Sequence, residues 1–122
     1  MKELTKAEEQ VMQILWEINE GVVHDIIKEL PEPKPAYNTI STIIRILETK
    51  GFVQHKAYGR TYVYSPKVDK SDYTKFSMNK LMNGYFSGSF KNMVSFFAKE
   101  NNMNVNDLDE LIKLAKDDIN EK

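Results

Sequence analysis

The sequence contains no cysteine. That excludes disulfides, thiolate metal sites and cysteine nucleophiles at once, and it suits a cytoplasmic chain. Histidine is nearly as scarce: His24 and His55 stand far apart, outside any HExxH spacing, so no zinc centre is expected. No apolar run approaches the roughly 20 residues needed to span a bilayer, so no direct membrane binding is expected. The first 20 residues are acidic and amphipathic, unlike a secretory leader. Glycine is sparse and forms no phosphate-cradling loop; Gly84 and Gly88 bracket a helix end instead. Ser77-Met78-Asn79-Lys80 matches an SxxK string, yet it lies in a Lys-rich amphipathic stretch without the companion motifs. No nucleophile with its base and no carboxylate pair emerges, so neither an enzyme nor a cofactor is expected.

Charge of one sign is also lacking overall, with a net of −1, but its distribution is uneven. Residues 1–35 carry four Lys against eight acids. Residues 36–68 carry Arg45, Lys50, Lys56, Arg60 and Lys67 against Glu48 alone. Residues 69–122 carry eight Lys against nine acids. Affinity for nucleic acid follows the local basic surface rather than the net charge, and the middle segment alone qualifies.

Thr5 and Glu8 have capping-box spacing, and Val11, Ile14, Leu15 and Ile18 follow at helical intervals, predicting a helix that stops near Gly21. A short helix fits Val23 to Leu30, and Pro31, Pro33 and Pro35 then impose an extended turn. A third helix fits Ala36 to Lys50, closed by Gly51. Phe52 to Lys56 and Thr61 to Ser65 read as strands around a turn that contains Gly59. Three helices and a hairpin, in that order, predict a winged helix-turn-helix over residues 1–68. From Asp69 only helical periods remain: one helix to Tyr85, one holding Phe90, Met93, Val94 and Phe97, and one from near Asn104 carrying Leu108, Leu111 and Ile112. The predicted fold class is therefore mostly α with a small β-hairpin: a winged helix followed by a three-helix segment over residues 69–122.

The third helix is the informative element. Ala36, Ile40, Ile43, Ile44 and Leu47 share one face, and Asn38, Ser41, Thr42, Arg45 and Thr49 the other. Solvated helix faces usually carry Glu and Lys; Asn, Ser and Thr are poorer helix formers. Short donors and acceptors suit base edges in a major groove, and Arg45 suits guanine or phosphate. Lys56 and Arg60 on the hairpin would meet the DNA backbone. The competing reading, a winged helix that docks a protein partner, calls for an apolar outer face, which this helix lacks. The C-terminal segment holds Tyr73, Phe76, Tyr85, Phe86, Phe90, Phe96 and Phe97, more aromatic surface than about 50 residues can hide alone. Sharing it across a two-fold axis predicts a homodimer, with Tyr73, Phe76, Phe90, Met93, Val94, Phe97, Leu108, Leu111 and Ile112 at the interface.

LTKAEEQVMQILW, AYNTISTIIRILETKGFV and GRTYVYSP resemble the BlaI/MecI penicillinase-repressor family, which includes copper-responsive CopY-type members, and the similarity extends into GSFKNMVSFFAKE and DLDELIKLAK. The Trp16-bearing first helix, the Thr39/Thr42 pattern and the Gly59-Arg60 wing carry the resemblance. It implies a cytoplasmic homodimeric repressor that binds a two-fold-related DNA operator through Asn38, Thr39, Ser41, Thr42, Arg45, Lys56 and Arg60. It also implies release by proteolysis, triggered by a membrane sensor-protease. Two positions depart from the family pattern. The cysteine cluster of copper-responsive members is absent, and Phe96-Phe97 stands where cleavable relatives have Asn-Phe.

Overall fold

The computed structural model describes residues 1–120. Helices α1 (Lys6–Ile18), α2 (Val23–Glu29) and α3 (Tyr37–Thr49) precede strands β1 (Val53–Tyr58) and β2 (Thr61–Pro66). Helices α4 (Lys70–Tyr85), α5 (Phe90–Glu100) and α6 (Val105–Asn120) follow. The chain forms two compact units, Met1–Ser77 and Met78 onward. No helix among the described residues is long and apolar enough to cross a membrane.

Local chemistry sets the helix ends. The Thr5 hydroxyl accepts from the Glu8 amide at 3.2 Å, and the Glu8 carboxylate accepts from the Thr5 amide at 2.9 Å, closing the expected capping box. Helix α1 ends at Ile18, and Asn19 takes the left-handed φ of 71°. It stops short of Gly21 because that residue has another task. Gly21 exchanges two backbone hydrogen bonds with Tyr64, at 2.8 and 2.9 Å, which anchors β2 to the turn after α1. Helix α3 ends against Gly51, whose φ of 84° only glycine adopts without strain. The strands pair antiparallel from Val53↔Pro66 to Tyr58↔Thr61, leaving Gly59-Arg60 as a two-residue loop with Gly59 at φ 63°.

The core of the first unit is built from Val11, Met12 and Leu15 of α1, Ile26 of α2, Ile44 and Leu47 of α3, Phe52 and Val53. A half-buried ion pair flanks it: Lys50 donates to Glu8 at 2.6 Å, tying the end of α3 to the start of α1. Burial pushes the Glu8 carboxyl up, but hydrogen bonds from Lys50 and Thr5 outweigh that and hold it below its ordinary value.

The boundary between units differs from the one expected after Val68, because the first turns of α4 belong to the winged-helix core. Tyr73 is buried there, its hydroxyl accepts from the Leu4 amide at 3.1 Å, and its ring meets Phe52 edge-on at 5.5 Å. Trp16 donates from Nε1 to the Val68 carbonyl at 2.9 Å, and Phe76 packs on the same cluster. In the second unit Ser89 caps α5 by accepting from the Asn92 amide at 3.1 Å. Asn104 and Asp107 cap α6 reciprocally, at 2.9 and 3.1 Å.

Candidate nucleic-acid interface

Helix α3 buries Ile40, Ile44 and Leu47 and leaves Asn38, Thr39, Thr42, Arg45 and Thr49 exposed. Thr42 donates from its hydroxyl to the Asn38 carbonyl at 2.8 Å, and Thr49 does the same to Arg45 at 3.0 Å. Each hydroxyl thereby spends its proton on the helix and presents lone pairs and a methyl group outward. Such a surface accepts hydrogen bonds from base edges and packs on thymine methyls. Ile46, one turn beyond Thr42, is exposed beside it and adds apolar surface of the same use.

Ser41 is not on that face. It is buried, on the side of α3 that borders α2 and the hairpin. That side is the row Tyr37, Ser41, Arg45 and Glu48, spaced at three to four residues. At its end the Glu48 carboxylate contacts His55 Nδ1 at 2.5 Å, and the His55 ring stacks on Tyr62 with centroids 4.3 Å apart. The partner of His55 across the hairpin, Tyr64, makes the Gly21 bridge, so at this level the hairpin is tied both to α3 and to the turn after α1.

The register separates the two hairpin cations. His55, Ala57, Tyr62 and Tyr64 share the face toward α3, since residues alternate along a strand. Lys56 lies on the other face with Gln54, Tyr58 and Val63. Arg60 at the loop joins Arg45 instead, both lining a notch between α2, α3 and β2 that His24 and Tyr37 also border. His24 and Tyr37 lie in ring contact at 4.9 Å. Sequence reasoning singled out neither for DNA; the only signal was Tyr37 at the i−4 position from Ser41. The Tyr64 phenol beneath is pushed up by burial and by the Glu48 carboxylate, so it remains a neutral hydroxyl.

The expected interface residues of the second segment fall into two groups. Tyr73 and Phe76 pack within the first unit, so Tyr73 has no surface left to share with another chain. Phe90, Val94, Phe97, Leu111 and Ile112 are exposed, Leu108 is half-buried and Met93 is buried. The Phe96–Phe97 bond lies inside α5.

Comparison with known proteins agrees with this architecture. The model of the penicillinase repressor family matches residues 4–117. The penicillinase repressor of Bacillus licheniformis is 28% identical over 121 residues, covering 98% of this chain and 94% of that protein. The methicillin resistance regulatory protein MecI of Staphylococcus aureus (strain N315) is 28% identical over 110 residues, 89% of each chain. The solution structure of the DNA-binding domain of the repressor BlaI superimposes with a TM-score of 0.51 at 35% identity. It covers 60% of this chain and 94% of that one. A match that runs through both units, on a mostly helical fold with one antiparallel hairpin, settles the membership: this chain belongs to the penicillinase repressor family.

Proposed function

We propose that this chain is a transcriptional repressor that binds duplex DNA as a homodimer, each copy of α3 entering the major groove at one of two inverted half-sites. The observation that carries the reading is the exposed row Asn38, Thr39, Thr42 and Arg45 on α3, beside a hairpin whose loop presents Arg60. Apart from Ile46 the outer face is polar and carries Arg45, as a groove requires, whereas a protein-docking helix would turn a continuous apolar stripe outward. The Bacillus licheniformis relative is named a penicillinase repressor, and the similar solved structure is described as the DNA-binding domain of the repressor BlaI.

Dimerisation rests on the second unit. Among residues 78–120 only Met93 is buried, while Phe90, Phe97, Leu111, Ile112 and Leu114 are each at least half exposed. Two helices and the end of α4, with one buried side chain between them, cannot stand alone in water, and a second copy related by a two-fold axis covers the apolar faces of both. The repressor acts in the cytoplasm, where its operator is. Derepression follows when the dimerising helices are severed, by a cut within α5 that a membrane sensor-protease triggers; this step rests on the family resemblance.

The test is a salt titration of the intact protein on promoter DNA from its own locus, against a scrambled duplex of equal length. The reading predicts a linear fall of log affinity with log salt on both duplexes, and a preference for the promoter that persists at high salt. Equal affinity for the two duplexes, or no binding to either, contradicts it.

A further inference from the structure

The notch between α2, α3 and β2 has a volume of about 360 Å³, and its lining includes no carboxylate. His24 of α2, Tyr37 and Arg45 of α3, and Arg60, Tyr62 and Tyr64 of the hairpin face it. Two arginines from separate elements therefore line one concavity. Neither has an ion-pair partner among the described residues. Like charges lining one hollow, with no acid in its lining and the Glu48 carboxylate engaged by His55, create a potential that an anion satisfies. The fork of a guanidinium matches the oxygens of a phosphate, and two forks from different directions can grip one phosphate at once.

The rest of the hollow fits the same ligand. The His24–Tyr37 ring contact fixes both rings at the rim, where the Tyr37 hydroxyl and the imidazole supply further hydrogen bonds. The buried Tyr64 also lines it, and its phenol stays neutral. The notch adjoins the polar face of α3, which is where the sugar–phosphate strand must pass when a helix lies in the major groove.

We infer that this notch seats a single backbone phosphodiester of the bound DNA, gripped jointly by Arg45 and Arg60 with His24 and Tyr37 at its rim. The inference rests on the DNA-binding reading above and reassigns Arg45 within it. Arg45 then positions the helix on the strand, and base discrimination falls to Asn38, Thr39 and Thr42.

A double-mutant cycle on the full-length protein tests this, using promoter duplex and scrambled duplex across a range of salt. Arg45 and Arg60 are exposed, so replacing them by Ala leaves the core intact. Each single variant should lose about tenfold in affinity per half-site, equally on both duplexes, the usual worth of one charged hydrogen-bonding partner. The double variant should lose little more than either single one, and its salt slope should fall by about 1 per half-site in total. Replacing phosphates one at a time by uncharged methylphosphonate should locate one position per half-site that weakens the wild type yet leaves the double variant unaffected. His24→Gln and Tyr37→Phe should lose a fewfold in affinity on natural DNA and nothing further on that modified duplex.

Losses of about a hundredfold per half-site in the double variant, with a slope change of about 2, would show two separate phosphates and overturn the shared seat. Loss of promoter preference in Arg45→Ala, with scrambled-duplex binding intact, would return Arg45 to base reading and overturn it equally. The absence of any methylphosphonate position coupled to the two arginines does the same. Failure of the wild type to bind either duplex is a different result: it removes the proposed function itself, and the seat with it.

Discussion

A fragment of residues 1–67 contains every element of the winged helix, yet it should be far less stable than a fragment of residues 1–77. Cutting after Lys67 removes the buried Tyr73 ring and its edge-on contact with Phe52. It also removes the acceptors for the Leu4 amide and for Trp16 Nε1, and the Phe76 side chain that packs on the same core. Deleting one buried aromatic side chain costs about 3–5 kcal/mol. Water can enter the vacated site and solvate the two freed donors, so they add little, and a total near 4 kcal/mol follows. Small domains have only about 5–15 kcal/mol in all, which leaves the shorter fragment close to its limit. At about 4–8 °C per kcal/mol for a domain of this size, the melting temperature should fall by roughly 20 °C or more. Trp16 is the sole tryptophan, so urea unfolding followed by its fluorescence, alongside circular dichroism, measures the difference directly. In the intact chain Tyr73→Phe should cost about 1 kcal/mol, by stranding the Leu4 amide. Equal urea midpoints for the two fragments would refute the reasoning and move the boundary back to Val68.

Three further outcomes follow from the same geometry. Thr42→Ala and Asn38→Ala should reduce promoter preference by about 1–3 kcal/mol each while leaving scrambled-duplex affinity nearly unchanged, and competition binding at fixed salt measures it. Phe97→Asp and Leu111→Asp should shift sedimentation at micromolar concentration toward monomer, since each puts a charge on the face that the proposed second copy would cover; dimers that survive both changes would place the interface elsewhere. The lowered Glu8 value stabilises the fold above the ordinary carboxylate range, and that contribution is lost as pH falls through the lowered value. Glu8→Gln keeps a capping acceptor but not the charge, so it should cost on the order of 1 kcal/mol at neutral pH and flatten the acid limb of a stability–pH curve.

Features written in a few adjacent residues were legible in the sequence. The Thr5/Glu8 box and the Gly51 stop stand where spacing put them, because each is closed by groups within about four residues; the turn expected between Lys56 and Thr61 tightens to Gly59-Arg60, because β1 runs on to Tyr58. Features that depend on where a distant element packs were not. On a helical wheel Ser41 lies on the margin of the polar face, and only the placement of α2 and the hairpin decides that this margin is covered. Tyr73 and Phe76 follow a change of composition at Asp69 and so read as dimer surface. Their partners lie in the N-terminal half: the Leu4 amide that binds Tyr73 is 69 residues away in sequence. His24 carried no local signal at all, and its meeting with Tyr37 is made by the angle between α2 and α3. Phe90, Phe97, Leu111 and Ile112 were legible as apolar helix positions, and in a single chain they remain uncovered.

The central claim is that two copies of α3 read two inverted half-sites. Hydroxyl-radical footprinting of the intact protein on its own promoter, paired with the stoichiometry of the complex by sedimentation, tests it most directly. The account predicts two chains per operator and two protected segments related by a two-fold axis, their centres about 34 Å, or a multiple of it, apart. One chain on a single asymmetric protected segment would contradict it.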